Sequence, residues 1–156
     1  MFTKILTFIQ FLLTIISFHY QKWQPKNENN ILLTIPRISL NQVLYEKGDE
    51  KNNLDERLIF LKSSSLPEEK GGNVIIAGHS GFGNIAYFKD LYKVKVGDNI
   101  FLNYYGKKYS YEVTRKYKVP KTGEVEVIRD PNDSSITLIT CYGSKEQLVV
   151  IGKQKK

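Results

Sequence analysis

The sequence predicts a mainly β domain in which seven or eight short strands form an antiparallel sheet or a closed barrel, with one or two short helices. Runs of β-branched, aliphatic and aromatic residues recur at strand length, and clusters of Gly, Pro, Asn, Asp and Ser separate them. The 156 residues, 41 % hydrophobic and 25 % charged, have the size and composition of one globular domain. Short strands in this number favour a sheet that curves around a single core.

The predicted strands begin after a polar stretch that ends at residue 30. A turn at Pro36 separates the first two strands, and Gly106 marks the turn of a hairpin in the middle of the chain. The continuous apolar run at 74–77 is typical of a buried strand. The predicted strands are 31–35, 38–45, 74–77, 100–105, 109–119, 125–128, 136–140 and 148–151.

Two short helices are predicted between these strands. Asn53, followed three residues later by Glu56, is the pattern of a helix start. The apolar face of this helix would be Leu54, Leu58 and Leu61. A second helical segment of one or two turns is predicted by the three-residue spacing of Ile85, Phe88 and Leu91.

The first 22 residues differ from the rest because 5–18 is mostly apolar. This run is short for a spanning helix, and its length alone would also suit the core of a cleaved signal peptide. No small-x-small cleavage site follows it, and Tyr20, Lys22 and Trp23 supply the aromatic and basic flank typical of a lipid interface. We therefore predict a membrane anchor or signal segment at 1–22, favouring the uncleaved anchor, a linker at 23–30, and one domain at 31–156 outside the cytoplasm.

The net charge of +7 is compatible with a nucleic acid, an anionic lipid or an anionic cell wall. The Lys residues are scattered, and the sequence contains neither zinc-finger spacing nor an RNA-binding aromatic signature, so no nucleic-acid partner is predicted. Glu46, Asp49 and Glu50 do not have the spacing of a calcium-binding loop, so neither a metal nor another cofactor is predicted.

The single cysteine is the first candidate for chemistry. An exported chain with one Cys forms no internal disulfide, so Cys141 is either a small buried hydrophobe or a reactive thiol. A thiol becomes a good nucleophile when a neighbouring imidazole favours its thiolate. His19 belongs to the apolar N-terminal segment, which leaves His79 as the available partner in the domain. Both candidates follow apolar strands, although sequence spacing does not establish that they meet.

The sequence Thr137-Leu138-Ile139-Thr140-Cys141 resembles the TLxTC signature of the sortase family, and the stretch 73–80 resembles the strand and histidine that precede it in those enzymes. The resemblance extends over 33–153. Further matching segments, in the same order, are 35–38, 66–67, 88–91 and 96–100. It implies an eight-stranded β-barrel and a membrane-tethered cysteine transpeptidase. Such an enzyme cleaves a C-terminal sorting motif of the LPXTG type on surface proteins and transfers the acyl group to an amine, for example on a cell-wall precursor.

The resemblance assigns roles to individual residues. Cys141 would attack the carbonyl of the scissile Thr, and His79 would protonate the leaving amine. Thr140 would contact the substrate, although strand alternation directs it away from the Cys141 face. The backbone N–H of Tyr142 is a candidate oxyanion donor. In the family, the segment 120–135 borders the substrate groove.

The sequence departs from the family at the third catalytic position. Sortases carry an Arg before the last apolar run, and this position is Gln147 here. A Gln amide donates hydrogen bonds without charge, whereas Lys145, two residues earlier, would supply charge without the forked geometry of a guanidinium. Arg115, on a different predicted strand, is a weaker candidate.

Two alternative functions therefore stay open. A catalytically weak or inactive sortase fold that only binds peptide is suggested by Gln147. A membrane-tethered β-barrel binding module with an inert thiol requires that both motif matches are coincidental.

Overall fold

The computed structural model describes residues 30–125, 127 and 129–156. The predicted segment at 1–22 and nearly all of the linker therefore lie outside the described residues. Within the described part of the chain, no helix is long and apolar enough to cross a membrane.

The described residues form one sheet of eight strands that curves into a nearly closed barrel, as the sequence predicts. The order of the strands across the sheet is β2-β1-β5-β6-β8-β7-β4-β3. Neighbouring strands are antiparallel except β4 and β7, which are parallel. The strands are β1 (Ile31–Ile35), β2 (Leu40–Leu44), β3 (Ile59–Phe60), β4 (Asn73–Gly78), β5 (Asn99–Tyr104), β6 (Lys107–Pro120), β7 (Ser135–Tyr142) and β8 (Glu146–Gln154).

The inner face of the sheet carries the hydrophobic core. On the strands that end at the candidate site, the core residues alternate with residues of the outer face, as a pleated strand requires. The core residues of these three strands are Val74, Ile76, Ile136, Leu138, Leu148 and Val150. The outer face of β4, β7 and β8 therefore carries the intervening residues, and this surface is called the site face below.

The helix predicted at 54–61 is wrong. The Asn53 side-chain oxygen accepts a hydrogen bond from the N–H of Asp55 at 3.1 Å, which makes a local turn rather than a helix start. Asn52 then bonds to both backbone groups of Phe60, at 2.9 and 3.0 Å, and Phe60 pairs with β4. The periodic leucines thus flank the short strand β3, because tertiary pairing outweighs the local helical pattern.

Two further predictions differ from the structure. The segment predicted as a second helix forms turns and one 3₁₀ helix at Leu91–Lys93, with Phe88 and Leu91 buried in the core. A second 3₁₀ helix, Pro36–Ile38, joins β1 to β2. Val125 and Val127 lie in irregular backbone, so the predicted strand is not seen there, and Glu126 and Ile128 lie outside the described residues.

Candidate active site

The parallel pairing of β4 with β7 brings the two catalytic candidates together. The last register pair of these strands is Gly78 and Thr140, which are 62 residues apart in the sequence. His79 and Cys141 are the next residue on each chain. Adjacent strands lie about 4.8 Å apart, and continuing the alternation of each strand by one residue places both side chains on the site face. The structure therefore brings His79 and Cys141 to neighbouring strand ends.

Three hydrogen bonds hold the chain around His79 against neighbouring elements. The Thr140 hydroxyl donates to the Gly78 carbonyl at 2.8 Å, and the N–H of Phe88 donates to the His79 carbonyl at 3.0 Å. The Ser80 hydroxyl donates to the carbonyl of Cys141 at 2.5 Å. Three consecutive residues, Gly78 at the end of β4 and then His79 and Ser80, are thus each held by a hydrogen bond.

Gln147, at the family's arginine position, lies directly opposite Cys141. These two residues are register partners in the antiparallel pair of β7 and β8, so their side chains lie on the same face. Val119 of β6 is the partner of Gln147 on its other side. A donor at position 147 is consequently next to the thiol.

The two alternative sources of positive charge are placed less favourably. Lys145 lies in the turn before β8 and is exposed, so it does not have the strand position that would align it with Gln147. Arg115 is four residues from Val119 along β6, which corresponds to about 13 Å. Its guanidinium carbon lies 5.0 Å from the centre of the Tyr117 ring. Neither cation is adjacent to Cys141 in the sheet register.

Thr140 and Tyr142 flank the thiol in different environments. Thr140 is 4 % exposed and uses its hydroxyl on Gly78, in agreement with its predicted inward direction. Tyr142 is 38 % exposed, and the Lys118 ammonium lies 3.6 Å from its ring centre. Because all peptide bonds described are trans and the Cys141 carbonyl faces Ser80, the N–H of Tyr142 points to the opposite side, towards its register partner Glu146.

Comparisons with known proteins show the family of this chain. The Sortase domain family model matches residues 33–155. The chain belongs to the sortase family. Sortase A of Listeria monocytogenes is 32 % identical over 127 residues, which are 80 % of this chain and 55 % of that protein. Sortase A of Bacillus anthracis is 31 % identical over 114 residues, 73 % of this chain and 52 % of the relative.

A solved structure of this family has the same fold. A lid mutant of sortase A from Corynebacterium diphtheriae superposes with a TM-score of 0.73 at 29 % identity, covering 87 % of this chain and 76 % of that one. The chain spans about half the length of the two curated relatives that it matches. The connection between β7 and β8 is three residues long.

A cavity of about 350 Å³ opens at the end of the sortase barrel beside Cys141. Its walls combine aromatic rings, hydroxyl groups and one ammonium group. The lining residues that define it are Ser80, Phe88, Lys89, Tyr92, Cys141 and Tyr142. The thiol is therefore bordered both by the site face of the sheet and by a cavity at the barrel end.

The acidic residues near β2 do not gather around a cation position. Glu46 accepts hydrogen bonds from the hydroxyls of Tyr104 and Tyr105, at 3.3 and 3.0 Å. Burial, reinforced by the Glu46 carboxylate, raises the pKa of Tyr104 to about 12. Among the residues that the structure describes, no group of three or more His, Cys, Asp and Glu is arranged to hold a metal ion.

The sequence reasoning missed Ser80. Its hydroxyl contacts the backbone of the candidate nucleophile, although 61 residues separate Ser80 from Cys141. The signal in the sequence was a small hydroxyl residue directly after the candidate histidine. Only the register of β4 and β7 shows that this hydroxyl contacts the Cys141 carbonyl.

Proposed function

We propose that this chain is a cysteine transpeptidase that cleaves a C-terminal sorting motif of the LPXTG type. The Cys141 sulfur attacks the carbonyl carbon of the scissile Thr, and the C–N bond to the next residue breaks. The leaving amine takes a proton from the His79 imidazolium, and the acyl group remains on Cys141 as a thioester. An incoming amine then attacks the thioester and gives a proton to His79, and the C–S bond breaks to regenerate the thiolate.

The observation that carries this proposal is the parallel register of β4 and β7. It places His79 and Cys141 one residue beyond the same register pair, Gly78 and Thr140. Proton transfer requires hydrogen-bond reach, and the shared register supports an approach of the His79 imidazole to the Cys141 thiol from the neighbouring strand end. The Cys141 thiol is half-buried beside a cavity, so a peptide carbonyl can approach it.

The cellular context belongs to the same proposal. The substrates would be surface proteins bearing a sorting motif, and the acceptor would be an amine such as one on a cell-wall precursor. Residues 1–22 would attach the enzyme to the cell membrane, with the catalytic domain on the extracellular side. The apolar run at 5–18 and its aromatic and basic flank support this placement.

The test is acyl-enzyme formation by the full chain in detergent. Incubated with an LPXTG peptide, the chain should gain the mass of the N-terminal peptide fragment and release the fragment after Thr. Hydroxylamine should then restore the original mass. Cys141→Ala should gain no mass, and His79→Ala should acylate about 10²-fold more slowly or worse. An unchanged mass for the wild-type chain would contradict the proposal.

Gln147 favours a second candidate, a sortase fold that binds the motif but turns it over poorly. Without the charge of a guanidinium, the transition state would lose about 2–4 kcal/mol, by analogy with loss of one oxyanion donor. This candidate predicts measurable peptide affinity in Cys141→Ala by calorimetry, together with turnover barely above background in the wild-type chain. Strong turnover would exclude it.

A further inference from the structure

We propose that Ser80 is a positioning residue that keeps Cys141 and His79 in reactive alignment. This inference rests on the proposed roles of these two residues. Ser80 follows His79 directly, and its hydroxyl donates to the carbonyl of Cys141 at 2.5 Å. One short side chain therefore connects the backbone of the proposed nucleophile to the residue next to the proposed acid and base.

The need for this connection follows from where the sheet ends. The β4–β7 pairing stops at Gly78 and Thr140, so no strand pairing with β7 holds His79 or Ser80. Gly81 and Gly83 follow with φ of 102° and 105°, so the backbone immediately after Ser80 adopts conformations that favour glycine. Phe82 between them is fully exposed and packs on nothing. The Ser80 hydroxyl thus joins the two chains at the boundary between sheet and loop.

The hydrogen bond also holds the peptide plane after Cys141 from the β4 side, opposite the pairing of Tyr142 with Glu146 in β8. A trans peptide is rigid, so holding the carbonyl of Cys141 fixes the rotation between its Cα and that plane. This constrains the direction in which the Cβ and the sulfur leave the chain. The carbonyl of His79 is held separately by the N–H of Phe88 at 3.0 Å. Ser80 is therefore a direct side-chain link from the segment that carries His79 to the backbone of Cys141 itself.

Loss of the hydroxyl should reduce reactivity more than stability. Cys141 is the only cysteine, so alkylation by iodoacetamide reports on this thiol alone. In the full chain in detergent at neutral pH, Ser80→Ala should lower the labelling rate about tenfold, because misplacement of reacting groups by a fraction of an ångström reduces reactivity. With an LPXTG peptide, kcat should fall by a similar factor while KM changes less than twofold. Ser80→Thr, which keeps the hydroxyl, should recover at least a third of the wild-type rate.

A matched control separates positioning from general destabilisation. Ser64 is 4 % exposed, and its hydroxyl accepts from the N–H of Ile75 in β4 and donates to the Ser65 carbonyl, both at 2.9 Å. Ser64→Ala should lower the melting temperature as much as Ser80→Ala or more, yet leave the labelling rate within twofold of wild type.

The decisive measurement is the effect of Ser80→Ala in a His79→Ala background. If Ser80 acts by aligning the pair, its removal should change the labelling rate less than twofold once the imidazole is absent. A full tenfold loss in that background, or no loss in the wild-type background, would overturn the proposal. These labelling rates do not depend on peptide cleavage. A wild-type chain that forms no thioester would therefore refute the transpeptidase proposal, whereas the role of Ser80 would still be decided.

Discussion

Position 147 determines what faces the thiol across the β7–β8 hairpin. The register of this hairpin pairs Cys141 with Gln147, and the next pair, Tyr142 with Glu146, closes onto a turn of three residues. With so short a turn, the hairpin has little freedom to change its register. Any side chain introduced at 147 will therefore lie beside Cys141 on the site face.

We predict that Gln147→Arg increases kcat/KM for an LPXTG peptide by about tenfold or more. Hydrogen bonds from a charged, forked donor are roughly twice as strong as those from a neutral amide, and the difference should appear as charge develops on the substrate oxygen. The measurement is steady-state cleavage of a fluorogenic peptide. Gln147→Lys, which adds charge without the fork, should give a smaller gain.

Lys145→Ala provides the comparison for that experiment. Because Lys145 lies in the turn rather than in β8, its removal should change kcat/KM less than twofold. A large loss in Lys145→Ala, with no gain in Gln147→Arg, would show that the lysine already supplies the charge at this site.

The sequence was most informative where chemistry restricts the choice of residue. One cysteine and one histidine in the domain are few enough for their identities to indicate a pair. Their proximity depends on parallel pairing between β4 and β7, which no local pattern encodes. The contact of Ser80 with Cys141 depends on the same pairing, and for that reason it was visible only in the structure.

Among the elements, most strands were predictable, whereas β3 and the short helices were not, and the strand predicted at 125–128 is not seen. Continuous β-branched runs gave β1, β4 and the β5–β6 hairpin nearly at their observed bounds. At 54–61, by contrast, the leucine spacing is typical of a helix, but Asn52 bonds to Phe60 and directs that segment into the sheet. Side-chain to backbone hydrogen bonds of this kind are specific to the tertiary arrangement, so a periodic pattern does not reveal them.

An ion pair joins the 3₁₀ helix after β1 to the residue before β5, and its strength should depend on pH. Arg37, in the 3₁₀ helix after β1, donates from Nε and Nη2 to the Asp98 carboxylate at 2.9 to 3.1 Å, immediately before β5. The backbone N–H of Lys95 donates to the same carboxylate at 2.8 Å. The Arg37 hydrogen bonds hold the pKa of Asp98 below its ordinary value.

We predict that Asp98→Asn lowers the melting temperature at pH 7 by about 2–4 °C. The melting temperature of the variant should also fall less than that of the wild type as the pH is lowered. A carboxyl whose pKa is lower in the folded state contributes stability above its unfolded pKa of about 3.9 and loses that contribution as pH falls through the folded value. Thermal unfolding between pH 2 and 7 is the measurement. The difference between wild type and variant should shrink below about pH 4. A difference that stays constant with pH would exclude the ion pair as its source.

Across the whole molecule, the topology separates the site from the point where the chain enters the barrel. Ile31 pairs with Tyr104, next to the β5–β6 turn, whereas Cys141 and Gln147 flank the β7–β8 turn. Strand β6 runs from the first turn to the second over 14 residues, which corresponds to more than about 40 Å of strand. Ile31, the first residue of β1, therefore lies at the end of the barrel opposite Cys141.

We predict that a chain beginning at residue 30 folds and keeps the reactivity of the thiol. Among the described residues, the buried core extends from Ile31 to Ile151, and β1 is held on both sides by β2 and β5, so these residues form a core of their own. Its thermal unfolding should be cooperative, with a melting temperature within about 3 °C of the full chain in the same detergent. Its iodoacetamide labelling rate at Cys141 should agree within twofold. A tenfold change in the labelling rate with an unchanged melting temperature would mean that residues 1–29 act on Cys141. That result would contradict the prediction.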